Sequence, residues 1–178
     1  MIIGVISDTH DKLSALQAAF SFFLHEHVDH VIHCGDWKSL STLEYFIKLT
    51  SESALPVSAV LGNNDHDSEP MMHLADEAPH FTLREGVYEL ALDGKHCAIY
   101  HSHHAPTLRN VRSNSTYDVA FLGHTHKPRI EMKDETLIIN PGSTAFSIPR
   151  SKAFSPTVAL LDTQTMKATL HTLPVAHA

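Results

Sequence analysis

The stretch MIIGVISDTHD, residues 1–11, decides the fold, because an apolar run rich in β-branched residues ends abruptly in polar residues. A run that is apolar on both alternating faces is typical of a strand covered on both sides, as strands of parallel sheets are. Residues 11–26 then space their apolar side chains as an amphipathic helix does. The chain therefore opens with a predicted buried strand, a polar strand end at Asp8, Thr9 and His10, and a helix.

The same alternation of strand and helix continues along the chain. Residues 28–36, VDHVIHCGD, and residues 55–63, LPVSAVLGN, both predict buried strands, and residues 39–50 between them predict a helix. Ser39 and Ser41 are both suitable N-caps for that helix. Strands that alternate with helices pair in parallel through right-handed crossovers, so this half of the chain predicts an α/β fold.

The second half of the chain carries hairpin signals instead. The Asp-Gly dipeptide at residues 93–94 separates two alternating runs, which is the strongest short-range hairpin signal. Two more hairpins are predicted to turn at residues 133–135 and near residues 162–164, and residues 115–123 predict another buried strand. Residues 68–79 predict a short helix or a loop. We therefore expect a β-sandwich with helices outside, mixed in one sheet and largely antiparallel in the other.

Length and composition narrow the class of protein. The 178 residues are most simply one domain, residues 1–178, and a net charge of −7 argues against a protein that binds long nucleic acids. The two cysteines form no CxxC pair, so neither a disulfide framework nor a thiolate zinc site is expected. No apolar stretch approaches the roughly 20 residues of a membrane span, and the N-terminal run is too short for a signal peptide. A cytoplasmic protein with no membrane partner is expected.

Carboxylate, amide and imidazole side chains follow nearly every predicted strand. They are Asp8 and His10, Asp36, Asn63, His101 and His103, and His124 and His126. Ligands of α/β sheets bind outside the carboxyl ends of strands, and oxygen and nitrogen donors without thiolate suit Mn, Fe, Zn or Mg ions. A two-residue offset, as in Asp8–His10 and His124–His126, puts both side chains on one side of an extended segment. Helix caps and turn residues are the alternative, but they do not explain the imidazoles.

As an ordered set, these motifs resemble those of the calcineurin-like metallophosphoesterases, and most closely the small bacterial and archaeal phosphodiesterase branch. The motifs are Asp8-Thr9-His10, Gly35-Asp36, Gly62-Asn63, His101-Ser102-His103, Gly123-His124-Thr125-His126 and Asn140-Pro141-Gly142-Ser143. The resemblance extends over residues 1–172. It implies an α/β fold of four layers, αββα, in which two mixed sheets form a sandwich flanked by helices.

The resemblance also implies two divalent metal ions and a ligand for each position. Asp8, His10 and His126 would bind the first ion, Asn63, His101 and His124 the second, and Asp36 both. Manganese is favoured, with iron, zinc and nickel left open. A hydroxide that bridges the two ions would attack a small phosphodiester, because the ions lower the pKa of the water between them.

The family pattern further assigns His103 to the phosphate, so that Asn63 and His103 are expected to be catalytic and, with Asn64, to contact the substrate. A solvent-exposed position is the alternative for His103. Many superfamily phosphatases have a histidine at the place of Asn64 that protonates the leaving group, and they usually have glycine at the place of Ser102. An amide cannot be a general acid, which favours substrates with good leaving groups. His33 is expected to support its loop.

Two other functions remain open at this point. One is a non-catalytic scaffold with the same fold, since a retromer subunit lies near this branch and is generally regarded as a scaffold. The other is a phosphomonoesterase with the same site. The retained ligand positions favour the phosphodiesterase, with a small phosphodiester as its partner, and a homodimer is left open.

Overall fold

Two β-sheets lie face to face and are covered by helices on their outer faces. The computed structural model describes residues 1–145 and 155–174. Its first elements are β1 (Ile2–Ile6), α1 (Leu13–His25), β2 (His30–His33), α2 (Leu40–Ser53), β3 (Val57–Val60), α3 (Ser68–Asp76) and β4 (Phe81–Arg84). The others are β5 (Tyr88–Leu92), β6 (Lys95–Tyr100), α4 (Ala105–Ser113), β7 (Val119–Leu122), β8 (Arg129–Lys133), β9 (Thr136–Asn140), β10 (Thr157–Asp162) and β11 (Lys167–Thr172).

The first sheet has six strands in the order β11-β10-β1-β2-β3-β4. Strands β1 to β4 are parallel, whereas β10 pairs with β1 and with β11 in the antiparallel sense. The apolar sequence of β1, the Val-Ile pair inside β2 and the apolar residues of β3 fit this place, because each strand is buried on both faces. The parallel sheet predicted for the first half of the chain is confirmed.

The second sheet has five strands in the order β5-β6-β7-β9-β8. Its hairpins pair β5 with β6 and β8 with β9, but β6, β7 and β9 run parallel to one another. The prediction that this sheet is largely antiparallel is wrong. After β6 the chain crosses over through α4, so β7 enters in the same direction, and β9 returns between β7 and the edge strand β8.

Apolar side chains fill three layers between and outside the sheets. Ile3, Ile32, Ile99 and Phe121 belong to the layer between the sheets. Helices α1, α2 and α3 cover the first sheet, and α4 covers the second, which confirms the four-layer αββα arrangement. Helix α1 packs so closely on β1 that a Cβ at residue 4, which is glycine, would lie 2.8 Å from the Phe23 ring.

All three predicted hairpins are present, with turns between β5 and β6, β8 and β9, and β10 and β11. Strand β4 and helix α4 were not predicted. Ser39 is the N-cap residue of α2, but its hydroxyl donates to Asp11 and accepts no hydrogen bond from the backbone N–H groups of the helix. No helix in the described ranges is long and apolar enough to cross a lipid bilayer. Residues 146–154 and 175–178 of the predicted domain lie outside these ranges, and its extent stays a prediction.

Candidate metal centre

The carboxyl ends of β1, β2, β3, β6 and β7 meet at one edge of the sandwich and carry the polar residues singled out above. Four of these residues, Asp8, His10, Asp36 and His126, each place one ligand atom within 4.8 Å of the others. They come from loops of both sheets. The structure thus brings together side chains that are as far as 118 positions apart in sequence.

One half of the centre is a convergence of imidazole and carboxylate atoms. The Nε2 atoms of His10 and His126 are 3.2 Å apart, and His126 Nε2 lies 3.1 Å from Asp8 Oδ1. Asp8 Oδ1 is buried and faces His126 Nε2, and this contact is the main cause that raises the pKa of His126, whereas Asp8 Oδ2 accepts from Ser7 Oγ and from the His124 backbone N–H. A buried carboxylate oxygen that faces an imidazole nitrogen is satisfied either by a proton on that ring or by a cation between the two groups.

The other half is centred on His101, which is fully buried. Its Nδ1–H donates to the Cys34 carbonyl at 2.8 Å, so the lone pair of Nε2 points the other way. Nε2 faces two oxygens, Asp36 Oδ1 at 3.2 Å and Asn63 Oδ1 at 3.1 Å. Burial opposes a charge on this ring, but Asp36, Asp8 and the Cys34 carbonyl together outweigh it and raise the pKa of His101. A metal ion would satisfy the three acceptor atoms, His101 Nε2, Asp36 Oδ1 and Asn63 Oδ1, without a proton on the ring.

The ring of His124 lies beside that of His101, with 5.1 Å between their centroids, and so belongs to this half of the centre. The two histidines of the Gly123–His126 motif therefore lie in different halves of the centre, His126 beside His10 and His124 beside His101. Burial lowers the pKa of His124 and of His10, which favours the neutral imidazole that binds metals.

Asp36 stands between the two halves. Its Oδ2 lies 3.4 Å from His10 Nε2, and its Oδ1 lies 3.2 Å from His101 Nε2. Asn64 donates to both oxygens, from its backbone N–H at 2.9 Å and from its side-chain amide at 2.6 Å. Burial alone would raise the pKa of Asp36, but His101 and Asn64 outweigh it and hold that pKa well below the usual range. A carboxylate that offers one oxygen to each side is the arrangement that two neighbouring cations require.

The loops of the centre have strained backbones. Asp8, His10, Asp36, His124 and His126 all have positive φ, between 43° and 70°. The prediction that each pair of ligands lies along an extended segment is therefore wrong. Residues other than glycine rarely adopt this left-handed conformation, and it persists at sites where the surroundings fix it.

Backbone and side-chain hydrogen bonds between neighbouring loops fix this conformation. The loop after β9 provides two of these hydrogen bonds. Asn140 Nδ2 donates to the Gly123 carbonyl at 2.9 Å, and Ser143 Oγ donates to the Asp8 carbonyl at 2.8 Å. The motif at residues 140–143 thus holds loops of both sheets, a role that the sequence alone did not reveal.

Asp65 is a second support that was not singled out. Its carboxylate accepts hydrogen bonds from the backbone N–H groups of Asp36, Lys38 and Gly62. These bonds join the loop after β2 to the loop after β3. The only signal in the sequence was its position directly after Asn63 and Asn64.

His33 lies beneath the centre and is fully buried. Its ring stacks on Trp37 with 3.4 Å between centroids and 15° between planes. Nδ1 accepts from the Gly35 N–H, so the proton is on Nε2, which donates to Thr9 Oγ1 at 2.7 Å. The expected support of the loop is present and extends to Thr9, between two of the candidate ligands.

His103 lies at the exposed rim of the centre, with its ring centroid 5.7 Å from that of His101. Burial and the neighbouring imidazoles of His101 and His124 lower the pKa of His103. Ser102, between the two ligand-type histidines, has φ of 81°, which is the conformation that glycine adopts most easily. Asn63 is exposed beside them, so its side chain can reach both the centre and solvent.

The residues present fit divalent cations. The donor set contains carboxylate, amide and imidazole groups, which suit manganese, iron, zinc and nickel. Two observations favour positive charge here, namely the buried Asp8 Oδ1 beside His126 Nε2 and the His101 Nε2 that faces two oxygens.

Comparison with known proteins agrees with this chemistry. The family model of the calcineurin-like phosphoesterase superfamily domain matches residues 1–166. A phosphodiesterase of Methanocaldococcus jannaschii is 32% identical over 164 residues, which cover 92% of this chain and 94% of that protein. A probable metallophosphoesterase of Methanothermobacter thermautotrophicus is 32% identical over 171 residues, which cover 94% of this chain and 90% of that protein.

Solved structures share the fold. The structure of an archaeal phosphodiesterase superposes with a TM-score of 0.85 at 31% identity and covers 97% of this chain and 100% of that one. Vacuolar protein sorting 29 of Cryptosporidium parvum has a TM-score of 0.64 at 18% identity, over 96% of this chain and 95% of that one. The second likeness shows the fold alone.

Proposed function

The chain belongs to the calcineurin-like phosphoesterase superfamily, and from that premise we propose that it is a metal-dependent phosphodiesterase that hydrolyses small phosphodiesters at a centre of two divalent cations. The observation that carries the proposal is Asp36, which turns one carboxylate oxygen to His10 and the other to His101. A single carboxylate shared in this way supports a site for two cations rather than one.

Each candidate ligand has a place in this proposal. The first cation would be held by Asp8, His10 and His126, the second by Asn63, His101 and His124, and Asp36 would hold both. When bound, such cations polarise the phosphoryl oxygens and lower the pKa of a water molecule between them.

The protein's own residues orient the reactants. His103, at the exposed rim, would donate to a phosphoryl oxygen, and Asn63 would position the phosphate while its carbonyl oxygen stays on the metal side. Asn64 holds the shared carboxylate with two hydrogen bonds and has one further amide hydrogen for the substrate. Little covalent chemistry falls to the protein.

The preference for diesters rests on Asn64 and on the named relative. An amide has no proton to give to a departing alcohol, and general acid catalysis contributes about 10²–10⁴-fold to rate. We therefore expect turnover to favour esters with good leaving groups. The 32% identical relative is named a phosphodiesterase, which supports the same class of reaction here.

The test is a matched hydrolysis assay. The protein is stripped with a chelator, manganese is restored, and bis(p-nitrophenyl) phosphate is compared with p-nitrophenyl phosphate. We expect manganese-dependent turnover that favours the diester and is lost in Asp36→Asn, whereas Asp134→Asn, in the exposed turn between β8 and β9, behaves as the wild type. If the folded protein hydrolyses neither ester with any divalent metal, the scaffold function takes precedence, and preference for the monoester would make it a phosphomonoesterase.

Three further expectations stay predictions from the sequence. They are manganese as the physiological metal, a cytoplasmic location and a homodimer. Measurement of the metal content of the purified protein addresses the first, and its sedimentation addresses the third.

A further inference from the structure

A cavity adjoins the candidate metal centre on the side of His103. It has a volume of about 370 Å³ and lies between the loop after β3, the turn between β4 and β5, the end of β6 and the start of α4. Gly62 separates it from the shared carboxylate, since a Cβ there would lie 2.1 Å from Asp36 Oδ1. A group bound in the cavity would therefore be next to a phosphate held at the centre.

The cavity is acidic. Asp65 and Glu85 are among the residues that line it, and no lysine or arginine of the described chain does so. Asp65 is already satisfied by backbone N–H groups, but Glu85 is exposed and forms no ion pair with any described residue. The Ser68 hydroxyl, also in the lining, has no hydrogen-bond partner within residues 1–145 and 155–174.

A second cavity near the centre is lined by basic residues. It is smaller, with a volume of about 180 Å³, and Arg112, Lys127 and Arg129 line it. There both arginines form ion pairs with Glu131. The protein thus presents two cavities of opposite character near the loops of the centre, and only the acidic one has His103 at its wall.

We propose that the acidic cavity holds one alcohol arm of the phosphodiester and selects arms that carry hydroxyl or ammonium groups over arms that carry a negative charge. The inference rests on the proposed function, since it names the substrate class of the same site. The single charge of a phosphodiester would be held by the cations, whereas a second negative charge in the cavity would face Glu85 with no lysine or arginine to offset it.

The test measures binding rather than turnover. Three symmetric diesters, bis(2-hydroxyethyl), bis(2-aminoethyl) and bis(2-carboxyethyl) phosphate, are titrated into the manganese-loaded protein by calorimetry. Because both arms of each diester are the same, one of them must enter the cavity in either orientation. We expect the wild type to bind the hydroxyl and amino diesters more tightly than the carboxyl diester.

Substitutions of Glu85 test the cavity, and a charge reversal at Glu135, outside the cavity, controls for the change in net charge of the protein. Glu85→Lys should shift the preference towards the carboxyl diester by about tenfold, and Glu85→Gln by about threefold, as expected for exposed charge pairs. Glu135→Lys makes the same change of net charge in the exposed turn between β8 and β9, and it should leave the preference as in the wild type. Both Glu85 and Glu135 are exposed, so none of these substitutions disturbs the core.

The outcomes separate this inference from the proposed function. Binding of the diesters with no greater effect of Glu85→Lys than of Glu135→Lys would overturn the inference alone. A wild type that prefers the carboxyl diester would also overturn it. Failure of all three diesters to bind the manganese-loaded protein would overturn both the inference and the proposed function.

Discussion

Replacing His33 with leucine should weaken both the fold and the metal centre, although His33 is not a candidate ligand. Leucine fills this fully buried position with an apolar side chain of similar size. It removes the acceptor for the Gly35 N–H and the donor to Thr9 Oγ1, together with the stack on Trp37. The change is therefore a loss of polar partners rather than of bulk.

The magnitude follows from these contacts. A buried polar group left without its partner costs about 1–3 kcal/mol, and an aromatic pair contributes about 0.5–1.5 kcal/mol beyond its buried area. Two orphaned groups and one lost stack predict that the free energy of unfolding falls by about 2.5–7.5 kcal/mol. Urea unfolding in the presence of a chelator measures this loss without any contribution from metal.

The bond to Thr9 is isolated by a double-mutant cycle. Thr9→Val removes the hydroxyl and keeps the shape, so the cycle with His33→Leu should give a coupling energy of about 1 kcal/mol. Because Thr9 lies between Asp8 and His10, the affinity for manganese should fall about 10–100-fold in His33→Leu, as is common when support for a ligand is lost. A loss of stability under 1 kcal/mol, or a coupling energy of zero, would refute this reasoning.

Three more predictions follow from close packing and burial. Gly62→Ala should destabilise the fold by about 1–3 kcal/mol and abolish manganese binding, because its Cβ would lie 2.5 Å from the Asp36 backbone N; unchanged affinity in calorimetry would contradict this. Burial lowers the pKa of His30 in the folded state, so the unfolded chain binds the proton more readily and stability is lost as the pH falls below about 6.5. His30→Gln should therefore lose less stability than the wild type between pH 7.5 and 5.5 in urea unfolding, and an equal loss would count against this role. Burial, with Asp118 as a lesser cause, raises the pKa of Cys97 to about 12. The native protein should therefore not react with a thiol reagent at pH 8, whereas the protein unfolded in guanidinium should react. Rapid labelling of the native protein would show that the thiol is accessible and would contradict this prediction.

The parts of the fold that could be predicted from sequence have strong local signals. The strand at residues 2–6 has a continuous apolar run, the strand at residues 57–60 is apolar apart from Ser58, and the turn at residues 93–94 has its Asp-Gly pair. Strand β4 is only four residues long and one of its ends is exposed, so it has no such pattern. Helix α4 buries only Val111, and its polar sequence does not distinguish a helix from a loop.

Strand order in the second sheet could not be predicted for a different reason. A hairpin signal identifies two neighbours and says nothing about a third strand. Whether β9 lies inside or outside β8 is decided by packing against β7, which is distant along the chain. The assumption that hairpins add up to an antiparallel sheet failed at this point.

In the candidate site, too, some features have a local sequence signal and others depend on contacts between distant segments. The order of the motifs identified the side chains that converge, because each lies directly after a strand. The left-handed backbone at Asp8 and His124 and the hydrogen bonds from Asn140 depend on loops that meet only in the folded chain. Sequence could therefore predict which residues meet, but not the conformation in which they are held.

The origin of the ligands in both sheets has a consequence for the lifetime of the protein. Asp8 follows a strand of the first sheet and His126 a strand of the second, so a cation that needs both can bind only after the sheets have docked. Interactions that form so late stabilise the native state and not the folding transition state, so metal should slow unfolding and leave the rate of refolding unchanged. Depletion of the metal would then shorten the half-life of the folded chain against proteases, so that the supply of metal sets the amount of protein as well as its activity.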